Sequence, residues 1–161
     1  MIIRKYRDED AEIISKLVCR NLLEVNSKDY GMEEMIKFAK EYNADKIRKV
    51  ATIGSMYVAC EDEKIIGCGA ISYNNQAKTE SIILTFFILP EYHGKGIGKE
   101  IIKILEKDEI FLNSERVVVD ASLSAHQFYK KMGYSYVETE KKENSKMDYN
   151  SNYKMEKLNK K

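Results

Sequence analysis

The chain has 161 residues, of which 43% are hydrophobic and 33% charged, which predicts one soluble domain over residues 1–161 and excludes disordered and membrane-spanning classes. The net charge of +1 argues against nucleic acid or a membrane surface as the main partner. Three cysteines without a Cys-x-x-Cys pair favour a reduced, cytoplasmic setting and form no metal-binding pattern.

In the first half of the chain, the spacing of apolar residues predicts a strand, three helices and a hairpin. These elements are expected at residues 1–6, 8–25, about 32–39, 43–50, and 55–60 with 64–73. Asn43 is a suitable cap for the third helix. The polar stretch 26–31 is expected to break the first helix, and the charged run 61–63 to form the turn of the hairpin.

The segment 81–89, SIILTFFIL, is apolar on both faces of a strand. Its side chains alternate between the faces, with Ile82, Leu84, Phe86 and Ile88 on one and Ile83, Phe87 and Leu89 on the other. Such a pattern is typical of a strand inside a sheet, so we expect a central strand that is buried on both sides.

A glycine-rich loop follows this strand and leads into a helix predicted over residues 99–110. Gly94, Gly96 and Gly98 allow a tight turn and a close approach of backbone N–H groups to a ligand. At a helix N-terminus, unpaired N–H groups and the helix dipole favour an anion. The loop is therefore expected to bind phosphate or pyrophosphate.

Two common phosphate-binding patterns do not fit this loop. A Walker loop needs a glycine five residues before its Gly-Lys pair and a Ser or Thr after it, but this chain has His93 and Glu100 there. The dinucleotide pattern G-x-G-x-x-G also fails, because Lys99 or Ile101 stands where its third glycine belongs. An ATP-binding function is therefore disfavoured.

A second informative segment begins with a short predicted strand at residues 117–119. Ser122 is expected to cap the following helix, and Gly133 to end that helix in a left-handed conformation. Two further strands, separated by a polar stretch, are expected at about residues 134–140 and 153–158.

Together, the two segments are similar to those of a known family. The pattern His93-x-x-Gly96-x-Gly98 after Leu-Pro-Glu-Tyr resembles the acetyl-CoA loop of the GNAT superfamily of N-acetyltransferases, in which Arg or Gln stands at the position of His93. The second segment resembles the family's last conserved block. The matching positions are Ser122, Ala125, Phe128, Tyr129, Gly133 and Tyr134.

The resemblance implies a GNAT-like α/β fold of the α+β type. Its mixed sheet would have about seven strands, mostly antiparallel, with a splayed central parallel pair and flanking helices. It also implies an enzyme that moves an acetyl group from acetyl-CoA, as cosubstrate and without a metal, to a primary amine by direct attack. A small-molecule amine is slightly favoured over a protein amine, and a monomer or homodimer is expected.

Residues at the matching positions are expected to hold acetyl-CoA. In the family, the main chain at the end of the central strand bonds the pantetheine arm, and the glycine loop holds the diphosphate. The predicted set is Phe87, Ile88, Leu89, His93, Gly94, Lys95, Gly96, Ile97, Gly98, Lys99, Ser122, Ala125, Phe128 and Tyr129. In the loop, His93, Lys95 and Lys99 can help to neutralise phosphate.

Tyr129 matches the general acid of the family and is expected to protonate the departing CoA thiolate. A general base is harder to assign, because Ile82 stands where some members of the family carry a glutamate. Glu80 lies two residues earlier on the same strand face and is the tentative base. Alternatives in the segment that commonly lines the acceptor pocket are Glu24, Asp29 and Tyr30.

A non-catalytic acyl-CoA-binding module is the alternative function. The missing strand glutamate and the substitution at His93 leave room for it, whereas the presence of Tyr129 favours an enzyme. His126, three residues before Tyr129 on the same helix face, is expected to have a surface role.

Overall fold

The structure, a computed structural model, describes residues 1–137 and 152–159. Its centre is a seven-stranded sheet made of β1 (Ile2–Lys5), β2 (Ser55–Glu61), β3 (Lys64–Tyr73), β4 (Glu80–Ile88), β5 (Arg116–Ala121), β6 (Ser135–Tyr136) and β7 (Tyr153–Leu158). The strand order is β1-β2-β3-β4-β5-β7-β6, and every pair is antiparallel except β4 with β5. The predicted fold class is confirmed.

Seven helices flank the sheet within the described residues. They are α1 (Ala11–Asn21), α2 (Ser27–Tyr30), α3 (Met32–Glu41), α4 (Ala44–Ile53), α5 (Ile97–Leu105), α6 (Glu109–Asn113) and α7 (His126–Lys131). Strand β3 is buried without interruption from Ile65 to Ser72, which means that both of its faces are covered. Helices α1, α4 and α5 pack against it. Within the described residues, no helix combines the length and apolar character needed to cross a bilayer.

The first helical segment extends further than predicted. After α1, residues Leu22–Asn26 form a π-helical turn that continues directly into α2. The Ser27 hydroxyl donates a hydrogen bond to the carbonyl of Leu23, so this polar residue is satisfied inside the helix. The helix ends only at Gly31, where φ is +90°. The predicted break across 26–31 is therefore wrong.

Other local predictions in this half are confirmed. The Asn43 side chain accepts a hydrogen bond of 2.9 Å from the Lys46 N–H and caps α4. Strands β2 and β3 form the predicted hairpin, and Asp62 in its turn adopts a φ of +56°. A short aspartate side chain tolerates this left-handed conformation better than most residues do.

The helix after the glycine loop is shorter than predicted. It begins at Ile97 and ends at Leu105. The buried carboxylate of Asp108 then accepts a hydrogen bond of 2.9 Å from the Ile110 N–H and starts a separate helix, α6. A single helix over 99–110 is therefore wrong, because an aspartate cap lies inside that range.

The start of α7 also differs from the prediction. The helix begins at His126, and Ala125 occupies its N-cap position without a side-chain hydrogen bond. Ser122 contributes its carbonyl oxygen instead, which accepts hydrogen bonds of 3.0 Å from the N–H groups of Ala125 and His126. The prediction of a Ser122 side-chain cap is wrong.

The end of α7 follows the prediction. Gly133 has a φ of +98°. The Tyr134 N–H donates to the carbonyl of Tyr129 at 3.0 Å, and the Gly133 N–H donates to that of Lys130 at 3.1 Å. This pair of bonds is the Schellman arrangement, which requires a left-handed residue at the glycine position.

The strand predicted at 153–158 is β7. The strand predicted at 134–140 is present as β6, and its part beyond residue 137 lies outside the described residues. Central strand β4 is the fourth of seven, as expected. Only Ser81, Ile83 and Thr85 of this strand are fully buried, however, and its other residues, including Phe87, are half-buried. The expectation of burial on both faces is wrong, because the half-buried residues Ile82, Leu84 and Phe86–Ile88 line two cavities.

Candidate active site

Strands β4 and β5 pair over only part of their length. Their parallel register runs from Glu80 opposite Arg116 to Ile83 opposite Val119. Strand β4 then stays paired with β3 as far as Ile88, while no further pairing joins it to β5. The two central strands therefore part after Ile83, and a gap opens in the middle of the sheet.

A β-bulge reshapes β4 at this gap. Cys68 of β3 is opposite Phe87, but Ala70 is opposite Leu84, so two residues of β4 are opposite one residue of β3. The bulge includes Thr85, whose φ of +51° is unusual for a β-branched residue. A bulge bends the strand that carries it, and this one begins two residues after Ile83, the last residue of β4 that pairs with β5.

The bulge is held by contacts with Tyr42 and with the neighbouring strand β3. The Tyr42 hydroxyl lies 3.2 Å from the Thr85 hydroxyl, and the Cys68 thiol donates to the Thr85 carbonyl at 3.3 Å. On β3, a Cβ at Gly69 would lie 2.9 Å from a ring carbon of Phe86. Glycine is therefore required opposite the bulge.

The main chain at the end of β4 presents one edge to the gap. The Leu89 N–H donates to the carbonyl of Ile66 on β3 at 2.8 Å. Since backbone groups alternate along a strand, Ile88 directs its own N–H and C=O to the opposite edge. The Ile88 carbonyl lies 2.7 Å from Nε2 of His93. Of the three predicted pantetheine-binding residues, Ile88 thus has its main chain facing the gap.

The glycine loop has the backbone conformation that its sequence requires. Gly94 and Gly96 have φ values of +76° and +82°, and a Cβ at either position would meet no atom within 4 Å. These glycines are needed for conformation, not for space. Gly96 directly precedes Ile97, the first residue of α5, so the first amides of that helix lie at the loop. This is an arrangement suited to an anion.

Gly98 serves a different purpose. A Cβ there would lie 3.1 Å from two ring carbons of Phe128 and 3.2 Å from the Ile88 side chain. The absence of a side chain allows α5 to pack closely against α7 and the end of β4. This packing fixes the loop relative to the gap.

Two cavities meet at the gap. The first, here called the loop groove, has a volume of about 490 Å³. The predicted residues that line it are Phe87, Ile88, His93, Gly94, Gly96, Ile97, Gly98, Lys99, Ser122, Ala125 and Phe128. The others, Leu89, Lys95 and Tyr129, do not line the groove. The Lys95 ammonium lies 5.2 Å from the centre of the Tyr92 ring.

The second cavity, here called the inner cavity, has a volume of about 560 Å³. Its walls include Tyr30, Met35, Phe38, Tyr42, Ile82, Ile83, Thr85, Val119 and Tyr129. Phe86, Phe87, Ser122, Ala125 and Asn26 line both cavities. A ligand could therefore extend from the glycine loop through the gap into the inner cavity.

Tyr129 lies at the inner cavity and is 3% exposed. Its ring packs against Phe86 at 5.8 Å and Phe128 at 5.2 Å between centroids. Burial raises the pKa of its hydroxyl above the ordinary value. No hydrogen bond joins this hydroxyl to another residue in the described parts of the chain, so it can donate one to a ligand.

The surroundings of Glu80 do not favour a role as general base. Burial acts to raise its pKa, but an ion pair with Arg116 at 2.7 Å and a hydrogen bond from Asn74 outweigh burial and lower it. Glu80 does not line either cavity. This geometry disfavours Glu80 as the base.

The alternative bases differ in position. Glu24 is exposed, and hydrogen bonding to Arg20 lowers its pKa. Glu24 and Asp29 do not line the inner cavity, whereas Tyr30 does. Within residues 1–137 and 152–159, the one carboxylate that lines this cavity is Asp120, which is exposed.

His126 points to another part of the molecule. Its Nδ1 lies 2.7 Å from the Tyr136 hydroxyl, and its ring is 4.4 Å from that of Tyr153. Both tyrosines belong to the β6–β7 pair. The described residues contain no group of three or more His, Cys, Asp or Glu side chains that could hold a metal.

Sequence reasoning missed the aromatic wall of the inner cavity. Phe38 and Tyr42 stand four residues apart at the end of α3, so they lie on the same side of that helix. Their ring centroids are 5.6 Å apart, and Tyr42 meets Phe87 at 6.0 Å. The i, i+4 spacing of two aromatic residues was the available signal.

Comparison with known proteins agrees with this geometry. Residues 26–151 match the family model described as "Acetyltransferase (GNAT) domain". Comparison with curated protein sequences gives no match. Among solved structures, the PaiA N-acetyltransferase of Thermoplasma acidophilum, in complex with coenzyme A, is 20% identical over 98% of both chains, with a TM-score of 0.78.

Two further structures share the fold. An N-acetyltransferase of Rhodopseudomonas palustris is 21% identical over 98% of this chain and 94% of its own, with a TM-score of 0.77. An aminoglycoside 6'-N-acetyltransferase complexed with coenzyme A is 14% identical over 98% of this chain and 97% of its own, with a TM-score of 0.72. At these identities the likeness shows the fold alone.

Proposed function

Since the chain belongs to the GNAT acetyltransferase family, we propose that it transfers an acetyl group from acetyl-CoA to a primary amine by direct attack. The observation that carries the proposal is the parting of β4 and β5 after Ile83 and Val119. The loop groove and the inner cavity meet at that gap. The thioester of acetyl-CoA would lie in the gap, with the CoA portion in the loop groove and the attacking amine in the inner cavity.

The loop groove supplies the contacts that CoA needs. The amides that begin α5 after Gly96 would bond the diphosphate, and Lys99 adds a positive charge beside them. The main-chain edge of Ile88 would bond the pantetheine arm. Phe128 and Gly98, which are packed so closely that a Cβ at Gly98 would lie 3.1 Å from the Phe128 ring, both line the groove.

Tyr129 has the properties required of a general acid. When the amine nitrogen bonds to the thioester carbon, the carbon–sulfur bond breaks and the thiolate must take a proton. A raised pKa keeps the Tyr129 phenol protonated at neutral pH. The attacking amine must first lose its own proton, which passes to water, as described residues place no buried carboxylate in the inner cavity.

The shape of the inner cavity favours a small-molecule acceptor. A volume of about 560 Å³ is within the range of pockets that hold small ligands. Met35, Ile83 and Val119 are buried residues of its wall. A cavity of this size, with buried apolar side chains in its wall, suits a compact amine.

The proposal is tested by calorimetry and by turnover. Acetyl-CoA and CoA are expected to bind with similar affinity, and ATP not to bind, because the loop lacks the Ser or Thr of a Walker site. A panel of primary amines is then scored by release of free CoA. Failure of acetyl-CoA to bind would refute the proposal.

A non-catalytic acyl-CoA-binding module is the second candidate. The observation in its favour is that the family's strand glutamate position is Ile82, in the wall of the inner cavity. Tight binding of acetyl-CoA without CoA release for any amine in the panel would support this candidate over the enzyme.

A further inference from the structure

The inner cavity has aromatic rings on two sides. Phe38, Tyr42 and Phe87 form one continuous row, with neighbouring ring centroids 5.6 and 6.0 Å apart. Phe86 and Tyr129, 5.8 Å apart, line the side nearer α7. Rings at these distances adopt tilted or edge-on arrangements, the geometry in which a further ring can add to the group.

The same cavity offers little to a multiply charged ligand. Among described residues, its charged side chains are Asp120, which is exposed, and Lys154. Two of its buried tyrosine hydroxyls already have partners in the protein: Tyr42 bonds Thr85, and Tyr30 bonds Leu123 and Asn152. The third, that of Tyr129, is the proposed proton donor to the CoA thiolate. A second ammonium group entering this space would lose its water without gaining a buried carboxylate from the described residues.

The position of the gap sets the orientation of the acceptor. The reacting nitrogen must lie where the two cavities meet, beside Phe86 and Phe87. The rest of the molecule then extends along the row toward Phe38 and Tyr42. We infer that the acceptor is an arylalkylamine, a monoamine whose aromatic ring lies against this row; the inference rests on the proposed acetyltransferase function.

The test compares three amines with the full chain and saturating acetyl-CoA. These are 2-phenylethylamine, 2-cyclohexylethylamine and spermidine, which differ in ring character and in number of charges. The kcat/KM for 2-phenylethylamine is expected to exceed that for spermidine at least ~100-fold, because the polyamine brings unpaired charges. It should exceed that for the cyclohexyl analogue about 2- to 10-fold, because only a planar ring makes aromatic contacts.

Variants at Phe38 connect the preference to the cavity. Phe38→Leu keeps an apolar side chain but removes the ring, and should raise the KM for 2-phenylethylamine while leaving the KM for acetyl-CoA unchanged. Phe38→Glu should reduce the preference for 2-phenylethylamine over spermidine at least ~10-fold, since it supplies a carboxylate. Tyr73→Leu, at an aromatic residue outside both cavities, is the matched control. It should alter neither the KM for 2-phenylethylamine nor the preference for this amine over spermidine.

The outcomes separate this inference from the function on which it rests. Equal or better use of spermidine, or a preference unaffected by Phe38→Leu in a folded protein, overturns the arylalkylamine assignment and leaves the transferase intact. If acetyl-CoA binds but no amine reacts, both proposals fail. If acetyl-CoA does not bind, the proposed function fails first.

Discussion

The Tyr30 hydroxyl accepts a hydrogen bond of 2.9 Å from the backbone N–H of Leu123, 93 positions later in the chain. The same hydroxyl donates to the side-chain oxygen of Asn152 at 2.5 Å. One phenol therefore joins the end of α2, the loop between β5 and α7, and the start of β7. These three segments border the inner cavity, so Tyr30 holds its walls in place.

Removing this hydroxyl should destabilise the protein and loosen the cavity. We expect Tyr30→Phe to cost about 1–3 kcal/mol of unfolding free energy, because the Leu123 N–H loses its partner. The KM for the amine should rise, with a smaller change in the KM for acetyl-CoA. Urea denaturation measures the first effect. Tyr73→Phe, which removes an exposed bond with Asn113, is the control and should cost less than about 0.5 kcal/mol.

Tyr129→Phe separates catalysis from binding. The ring contacts with Phe86 and Phe128 remain, but the proton donor is lost. We expect kcat to fall about 10²- to 10⁴-fold. The dissociation constant of acetyl-CoA, measured by calorimetry, should stay within about 2-fold, since the loop groove is unchanged. An unchanged kcat would remove Tyr129 from the mechanism.

The pH dependence of kcat/KM should reflect the ionisation of the acceptor amine more than that of any group of the enzyme. An amine with a pKa near ~10 attacks only in its neutral form, so kcat/KM should rise tenfold per pH unit below that value. Because burial raises the pKa of Tyr129, the phenol keeps its proton as pH increases, and activity should not decline before pH ~10. Rate profiles from pH 5 to 10 measure both features.

Glu80→Gln provides the control for this profile. The Arg116 and Asn74 contacts lower the pKa of Glu80, so its titration should add no inflection near neutral pH. The variant is expected to retain the shape of the wild-type profile. An acid limb that disappears in Glu80→Gln would instead identify this carboxylate as the base.

The Arg4–Asp10 ion pair should make the free energy of unfolding depend on pH in the acidic range. Two hydrogen bonds from Arg4, at 2.8 and 3.0 Å, and one from the Arg7 N–H at 2.8 Å reach the Asp10 carboxylate. Burial acts to raise the pKa of Asp10, but these bonds outweigh it and lower the value. The stabilisation is therefore complete above the unfolded pKa of ~3.9 and is lost as pH falls through the lower, folded value.

Asp10→Asn tests this relation. We expect a loss of about 1–3 kcal/mol at pH 7, because an ionised acceptor of three hydrogen bonds is replaced by a neutral one. The difference between wild type and variant should shrink near pH 2. Denaturation curves at the two pH values measure it, and a difference that is constant with pH would contradict the assignment.

The sequence predicted those parts of the fold that local patterns determine. A continuous apolar run located β4, and glycines located the loop and the end of α7. The errors came where a side chain bonds in an unexpected direction. Ser27 bonds back into its own helix, although its residue type indicates a break. Asp108 starts a new helix, although the apolar pattern continues past it to Ile110.

The site was predictable where the backbone forms it and less so where distant segments meet. Gly94, Gly96 and the amides of α5 follow from a contiguous motif. The aromatic wall depends on the contact of Tyr42 with Phe87, 45 positions later, and no local pattern encodes that contact. The bulge at Thr85 could not be predicted from the sequence, because it depends on the register of pairing with β3.

Gly69→Ala tests whether the bulge shapes the acceptor site. The added Cβ would lie 2.9 Å from a ring carbon of Phe86 and 2.8 Å from the Ile101 side chain, so both must shift. We expect a loss of about 1–3 kcal/mol in stability, as for overpacking in other cores. Because Phe86 lines both cavities, the KM for the amine should also rise.

Gly94→Ala is the matched comparison for Gly69→Ala. Its Cβ would enter open space, but the φ of +76° disfavours alanine by about 1–2 kcal/mol. This variant should weaken CoA binding and leave the amine KM unchanged, whereas Gly69→Ala is expected to raise the amine KM. Kinetics with each substrate varied in turn distinguish the two. Similar effects of both variants on the amine KM would show that the bulge does not position the acceptor.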